Sequence, residues 1–336
     1  MSVVKRKLTV LTLVGVLVIT AALSPFMPPV GTARADSVSL AELSARAVEL
    51  LHRDFQTNGA RNSDMGVGTY AFYILKTAKV DTSGWRHSGI SLQDAVIKLV
   101  KQDIDHPADV SAKQLAQDLL AMKTIQRSDL ADQILKILQK RHNKSGFDGN
   151  IFSNYAAYDF LGRGEYLETV ETSTTRAYLL AQIARGSDGS FYGWGSYKWK
   201  GKVDPGIMST CQAVRALSVL DSQKNDPEVQ AAIQQGLTLL SRYQQSDGGF
   251  FAGMDDPAID SAEIIITLKK LGLKPDLWVS GSVKTAVDYM RQKVLNTNGS
   301  LGGCQNIMDA IWVLDACTVL TSQTTAPPAG TGKLKH

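Results

Sequence analysis

The chain has 336 residues, of which 44% are hydrophobic and 20% charged, with 28 glycines and 10 prolines; this balance supports a large packed core and excludes disorder and collagen. Lys and Arg number 36 against 32 for Asp and Glu. Four of those cations, Lys5, Arg6, Lys7 and Arg34, precede Asp36 in a stretch with no acid, so the remainder balances at 32 against 32 and offers no electrostatic footprint for nucleic acid or anionic lipid.

In chain order, residues 1–35 carry a cationic start, an apolar run from Leu8 to Leu23, and Ala33 and Ala35 flanking Arg34. That pattern predicts a secretory signal cleaved after Ala35, and hence a secreted protein with no stable membrane insertion after cleavage. A retained anchor is the alternative, opposed by the helix breakers Pro25, Pro28 and Pro29. Residues 36–320 read as one helical domain and 321–336, with Pro327 and Pro328, as a disordered tail. Cys211, Cys304 and Cys317 permit at most one disulfide. Cys304 and Cys317 would stand about 20 Å apart on a helix, so all three are expected as buried or free thiols.

One pattern recurs through the domain: an amphipathic helix, a Gly-rich turn bearing Asp or Asn, then a more apolar helix. The turns are Asp148-Gly149-Asn150, Asp188-Gly189-Ser190, Asp247-Gly248-Gly249 and Asn298-Gly299-Ser300. Helix pairs are expected at about 41–80, 91–126, 129–162, 173–220, 232–268 and 281–320. In the fifth, Gln230, Gln234, Gln235 and Arg242 give the first helix a wet face, whereas Ile264, Ile265, Ile266 and Leu268 after Asp260 leave the second apolar on nearly every side. Such pairs must stack to bury the apolar helix. The first and last are as apolar as the rest, which favours closure into a ring over an open solenoid. The fold expected is therefore all-α, an α6/α6 toroid with greasy helices at the hub.

The run Gln244 to Phe250, and the pattern Val203-Asp204 through Met208, Ser209, Thr210, Ala213, Val214, Ala216 and Leu217, resemble the prenyltransferase and squalene-cyclase repeat. Within that class the chain resembles secreted bacterial proteins of the transcobalamin and intrinsic-factor type. The resemblance implies an α/α toroid and, from those relatives, non-catalytic binding of a flat metabolite such as a corrinoid. The β-domain that covers the corrin in those relatives has no counterpart in this sequence.

The chemistries of the repeat class can be tested residue by residue. Prenyltransferase β subunits begin an inner helix with Asp-Gly-Cys and add a later His; here the matching start is Asp260-Ser261-Ala262, and no histidines form a zinc pattern. No metal or cofactor is expected. The acid motif of squalene-type cyclases is matched only by Asp103-Ile104-Asp105-His106, read as a polar loop. Cys304-Gln305 lacks the three-residue spacing of a thioester ring. Asp255-Asp256-Pro257, followed by Asp260, reads as a helix start capped by Asp256 or Asp260, or as a metal or ligand contact. Carbohydrate-active toroids use two carboxylates across the scissile bond, and Asp188, Asp204, Asp255 and Asp256 would share one rim.

The segment 191–199 holds five aromatics in nine positions, Phe191, Tyr192, Trp194, Tyr197 and Trp199. They either plug the barrel or offer stacking faces to a flat or sugar-like ligand. Lys198, Lys200 and Lys202 accompany them. The expected function is an exported, non-catalytic toroid binding a small molecule, a glycan or a protein partner through Tyr192, Trp194, Tyr197, Trp199, Asp204, Asp255, Asp256 and Asp260. The alternative is a terpenoid cyclase-like or carbohydrate-active enzyme using Asp204 and Asp255/Asp256.

Overall fold

The structure, a computed structural model, describes residues 37–322 except 64, 186–188, 200–201, 254, 281 and 304–306, and only the backbone of 196–199 and 202–204. The signal-like segment 1–35, the tail beyond 322 and Cys304 lie outside the described residues. Among those described, no helix is long and apolar enough to cross a membrane.

Twelve α-helices form among the described residues: α1 (Leu40–Asn58), α2 (Thr69–Thr77), α3 (Leu92–Asp105), α4 (Ala112–Thr124), α5 (Ser128–Arg141), α6 (Ile151–Arg163), α7 (Thr172–Ala181), α8 (Ile207–Leu220), α9 (Pro227–Ser241), α10 (Pro257–Lys270), α11 (Ala286–Lys293) and α12 (Ile307–Thr321). Side-chain caps start many of them. Ser39, Ser91, Ser111, Asn150 and Asp226 each accept a first-turn N–H, and Thr285 with Asp288 makes a reciprocal capping box on α11.

Even- and odd-numbered helices differ in burial. In α9 only the face bearing Val229, Ala232, Ile233, Gly236, Leu237, Leu239 and Leu240 is buried, whereas α10 is buried at every position from Ala258 to Leu268 and α8 from Ile207 to Leu217. Packing follows this division. The even helices touch in a cycle, α2 on α4, then α6, α8, α10 and α12, which returns to α2; α3, α5, α7, α9 and α11 lie outside them, and α1 packs on α12. Glycine is required at one turn in particular. Gly248 sits at φ +92°, and a Cβ there would stand 2.5 Å from the Thr285 carbonyl oxygen. Phe147, just before its turn, and Phe250 and Leu301, just after theirs, are buried; Phe191 is partly so.

The structure corrects three expectations. First, the fold is mostly rather than wholly helical: β1 (Arg86–His87) pairs with β2 (Ile90–Ser91), and β3 (Ile183–Arg185), β4 (Phe191–Trp199) and β5 (Lys202–Pro205) form an antiparallel sheet in that order. The aromatic-rich composition of 191–199 suits a pleated strand better than a loop. Second, Asp103 and Asp105 belong to the last turn of α3, with His106 as its C-cap. By contrast, α10 begins at Pro257 with Asp256 as its N-cap, one of the two caps expected at that helix start, because proline is pre-set for the first helical position.

Third, the hub is not purely aliphatic. Arg215 on α8 donates from Nε and Nη2 to the two oxygens of Asp159 on α6, at 2.8 and 2.6 Å, and from Nη1 to Glu263 and Thr267 on α10, at 2.5 and 2.8 Å. Trp312 Nε1 donates to Glu263 at 2.8 Å, and Arg163 bonds Asp315 and the Tyr70 hydroxyl at 2.7 and 2.8 Å. Charges so deeply buried persist because each meets an opposite charge, in bidentate fork geometry between Arg215 and Asp159. Cys211 and Cys317 are buried free thiols, each pushed upward by burial, Cys317 to about 11.

Candidate functional site

Hydrogen bonds tie the starts of the inner helices together at one rim. Asp148, in the turn before α6, accepts from the Ala112 N–H of α4 at 2.9 Å and from Ser153 Oγ at 2.8 Å, and that hydroxyl accepts the Lys113 N–H at 3.1 Å. Gln114 Nε2 links α4 to α2 through Thr69 Oγ1 at 2.9 Å. Asp256, the N-cap of α10, accepts the Ala258 N–H on Oδ1 and the Gly303 N–H on Oδ2, both at 2.7 Å, joining α10 to the loop before α12. Both oxygens of Asp256 are thus spent on backbone, which makes it a cap and an anchor.

Its neighbours are chemically different. Asp260 is buried, accepts the Ala252 N–H at 3.2 Å, and is pushed up to about 8, chiefly by burial and then by the charge of Asp255, with Glu263 and Asp256 adding to the effect. Asp255 remains partly exposed; burial first, then Glu263 and Asp256, raise it, while Lys113 opposes them. Lys113 lies in the first turn of α4 and holds its ammonium 5.2 Å from the Phe152 ring centroid, in the first turn of α6. Three inner-helix starts therefore place a cation, an aromatic face and a pair of upward-shifted carboxyls at this rim.

A second acid pair occurs at the same end. Asp118 on α4 is fully buried, accepts Gln114 Nε2 at 2.7 Å, and is raised by burial and by Asp103; Asp103 is itself raised by burial and accepts Asn62 Nδ2 at 2.5 Å. Among the described residues no group of three or more His, Cys, Asp or Glu is placed to hold a metal.

Of the eight residues singled out in the sequence, Asp255, Asp256 and Asp260 come together here. Tyr192 is 48% exposed. Trp194 is fully buried: its Nε1 donates to the Leu179 carbonyl at 2.7 Å, its backbone N–H to Thr210 Oγ1 at 3.3 Å, and Phe191 packs edge-on at 5.4 Å. Its placement among ligand-stacking rings is corrected to a core position, where pairing the indole N–H satisfies the one polar atom. Tyr197, Trp199 and Asp204 are described by backbone only, with Tyr197 opposite Asp204 and Trp199 opposite Lys202. Asp204 precedes the start of α8, an immediate neighbour of α10. Lys113, Phe152, Asp118 and Asp148 were not recognised as site residues; only the turn motif pointed toward Asp148.

No protein-family model matches the sequence, and no curated protein matches it. Solved structures do. An α-1,6-mannanase of glycoside hydrolase family 76 from Salegentibacter sp., an inactive double Asp-to-Asn variant in complex with α-1,6-mannotriose, aligns with a TM-score of 0.53 at 11% identity, over 84% of this chain and 100% of its own. An unsaturated glucuronyl hydrolase mutant from Streptococcus agalactiae aligns with a TM-score of 0.52 at 11% identity, over 87% of this chain and 98% of its own. The chain has the α/α-toroid fold. Haptocorrin in complex with Cbi aligns at 0.47 and 14% identity, over 84% of this chain and 68% of its own. At that level the haptocorrin likeness carries no argument for corrinoid binding.

Proposed function

We propose that this chain is a carbohydrate-active toroid, built from six helical hairpins, that acts on a glycan at the rim formed by the inner-helix starts. The observation that carries the reading is the partly exposed, upward-shifted carboxyl of Asp255 beside buried Asp260, which keeps its proton to about pH 8. A carboxyl whose proton is held more tightly than an ordinary aspartate's is what a general acid for glycosidic cleavage requires. Asp255 takes that role and Asp260 positions and tunes it from behind. Asp204, ahead of the neighbouring α8, is the second carboxylate. Phe152 and Tyr192 supply faces for sugar rings, and Lys113 a donor for hydroxyl or carboxylate groups. Toroids carrying glycan chemistry support the reading: the mannanase above was inactivated by replacing two adjacent aspartates, and Asp255-Asp256 is an adjacent pair at an inner-helix start. In this reading residues 1–35 direct export and are removed after Ala35, leaving 36–320 as the working domain and 321–336 as a tail.

The test is release of reducing ends from a panel of neutral and uronate-containing polysaccharides. Asp255→Asn and Asp204→Asn should each abolish turnover, and Asp260→Asn should retain activity with a displaced pH profile. Absence of both turnover and glycan binding, together with a visible absorption shift on adding cobalamin, would replace this reading with the corrinoid one.

A further inference from the structure

The second acid pair, Asp103 and Asp118, differs from the acids at the centre of the hub. Asp159, Glu263 and Asp315 each meet an arginine. Asp118 is fully buried on α4 and interacts with Asp103, in the last turn of α3, and among the described residues neither is paired with a Lys or Arg. Arg61, one residue from Asn62 in the loop between α1 and α2, is committed to Asp54 Oδ1 and the Met65 carbonyl, both at 2.9 Å.

The hydrogen bonds around the pair leave oxygens over. Gln114 Nε2 donates to Asp118 Oδ1 and Thr69 Oγ1, at 2.7 and 2.9 Å, and Asn62 Nδ2 donates to Asp103 Oδ2 at 2.5 Å. Asp118 Oδ2 and Asn62 Oδ1 are sealed from solvent and meet no donor. Gln117, only 3% exposed, has an amide nitrogen without a partner, and with Asn62, Thr69 and Gln114 it lines a cavity of about 10 Å³. That is room for one water or one ion. Leaving a buried polar atom unmet is costly, and three such atoms gather here. A proton shared by the two acids would neutralise one charge and still leave Asn62 Oδ1 without a donor.

The donor set identifies what would satisfy all of them. Two carboxylates carry two negative charges, and the other groups present are an amide oxygen, a hydroxyl and the Gln117 amide, which a half-turn converts from donor to acceptor. Neither imidazole nor thiolate takes part, so the set suits a hard divalent cation and not zinc or copper. Calcium accepts six to eight oxygens in flexible geometry. We propose that Asp103, Asp118 and Asn62 hold a calcium ion, with the Gln117 amide and water completing its shell. Such an ion ties the loop before α2 to the end of α3 and the middle of α4. With only two carboxylates, its Kd should be on the order of 0.1–1 mM.

The experiment is thermal melting and calorimetric titration of the full chain at neutral pH, in EDTA and then with calcium chloride, against sodium chloride at matched ionic strength. Calcium at tenfold its Kd should raise the melting temperature by about 3 °C or more. Asp118→Asn and Asp103→Asn preserve shape and should each weaken calcium binding about tenfold or more. Asp103 is partly exposed, and the melting temperature of each variant in EDTA reports that it folds. No calcium-dependent rise in the parent, or a rise undiminished in either variant, overturns the proposal. Turnover of glycans at the rim has no bearing on these readouts.

Discussion

Asp255, Asp256 and Asp260 show how three like residues within six positions acquire three roles from their surroundings. Asp256 meets two backbone N–H groups and becomes structural; Asp255 keeps contact with solvent; Asp260 is sealed in and holds a proton. The last of these has a measurable thermodynamic consequence. Between the ordinary aspartate value of 3.8 and about 8, the folded chain keeps a proton on Asp260 that the unfolded chain has released. Its contribution to stability is therefore complete below the lower value and declines as pH rises toward and through about 8. Asp260→Asn mimics the protonated acid, and its amide oxygen still accepts from Ala252. The variant should gain stability relative to the parent as pH goes from 5 to 8, as read by urea denaturation at both pH values; a gap independent of pH would place the Asp260 titration elsewhere. The sequence exposed the acidic triplet and the cap but not the proton, because burial of Asp260 depends on packing from other helices. Trp194 is the reverse case: its composition context allowed either a plug or a ligand-stacking ring, and only the placement of Leu179 and Thr210 decides for the core.

At the scale of the element, hydrophobic periodicity separated wet-faced helices from the others, and the turns carrying Asp-Gly or Asn-Gly marked four of the links that lead into inner helices, of which Asp148-Gly149-Asn150 directly precedes α6. It failed at the hub, where a helix apolar nearly all round still carries one or two charges. Asp118, Asp159, Arg163, Arg215, Glu263 and Asp315 occur on five of the six inner helices. A charge with no wet face to occupy is a signal in itself, since such residues are almost never buried unpaired, but the partners of Arg215 lie 48 and 56 positions away and that of Arg163 lies 152 away, so they cannot be matched from sequence. The Arg215 group supplies a direct test. Arg215→Met leaves Asp159 and Glu263 buried without their cation and should cost about 3–5 kcal/mol in urea denaturation. Replacing all three together, Arg215→Met with Asp159→Leu and Glu263→Leu, should recover most of that loss, because the desolvation penalty disappears with the charges. A triple variant no more stable than the single one would mean that the network holds the inner helices in register, beyond balancing its own charges.

At the scale of the whole molecule, closure distinguishes this chain from a linear stack of the same units. In an open solenoid the end units have one neighbour each, so unfolding begins there and spreads inward. Here α12 touches α10, α2 and α1, and α2 touches α4 as well as α12, so neither end of the chain is an end of the ring. The aromatic contact of Tyr70 on α2 with Trp312 on α12, at 5.4 Å between centroids, and the bond from the Tyr70 hydroxyl to Asp315 at 2.8 Å, cross the point where the chain meets itself. Closure was readable in outline, since the terminal pairs lacked the polar caps a solenoid needs; the residues that fasten it were not, because Tyr70 and Asp315 are 245 positions apart. Native-state hydrogen exchange should therefore give the amides of α2 and α12 the same opening free energy as those of α6 and α8, to within about 1 kcal/mol. Tyr70→Ala removes both seam contacts and should lower protection across all six inner helices together. If α12 instead opens alone in that variant while α6 and α8 stay protected, the seam is a local latch and the molecule behaves as a solenoid whose ends happen to touch.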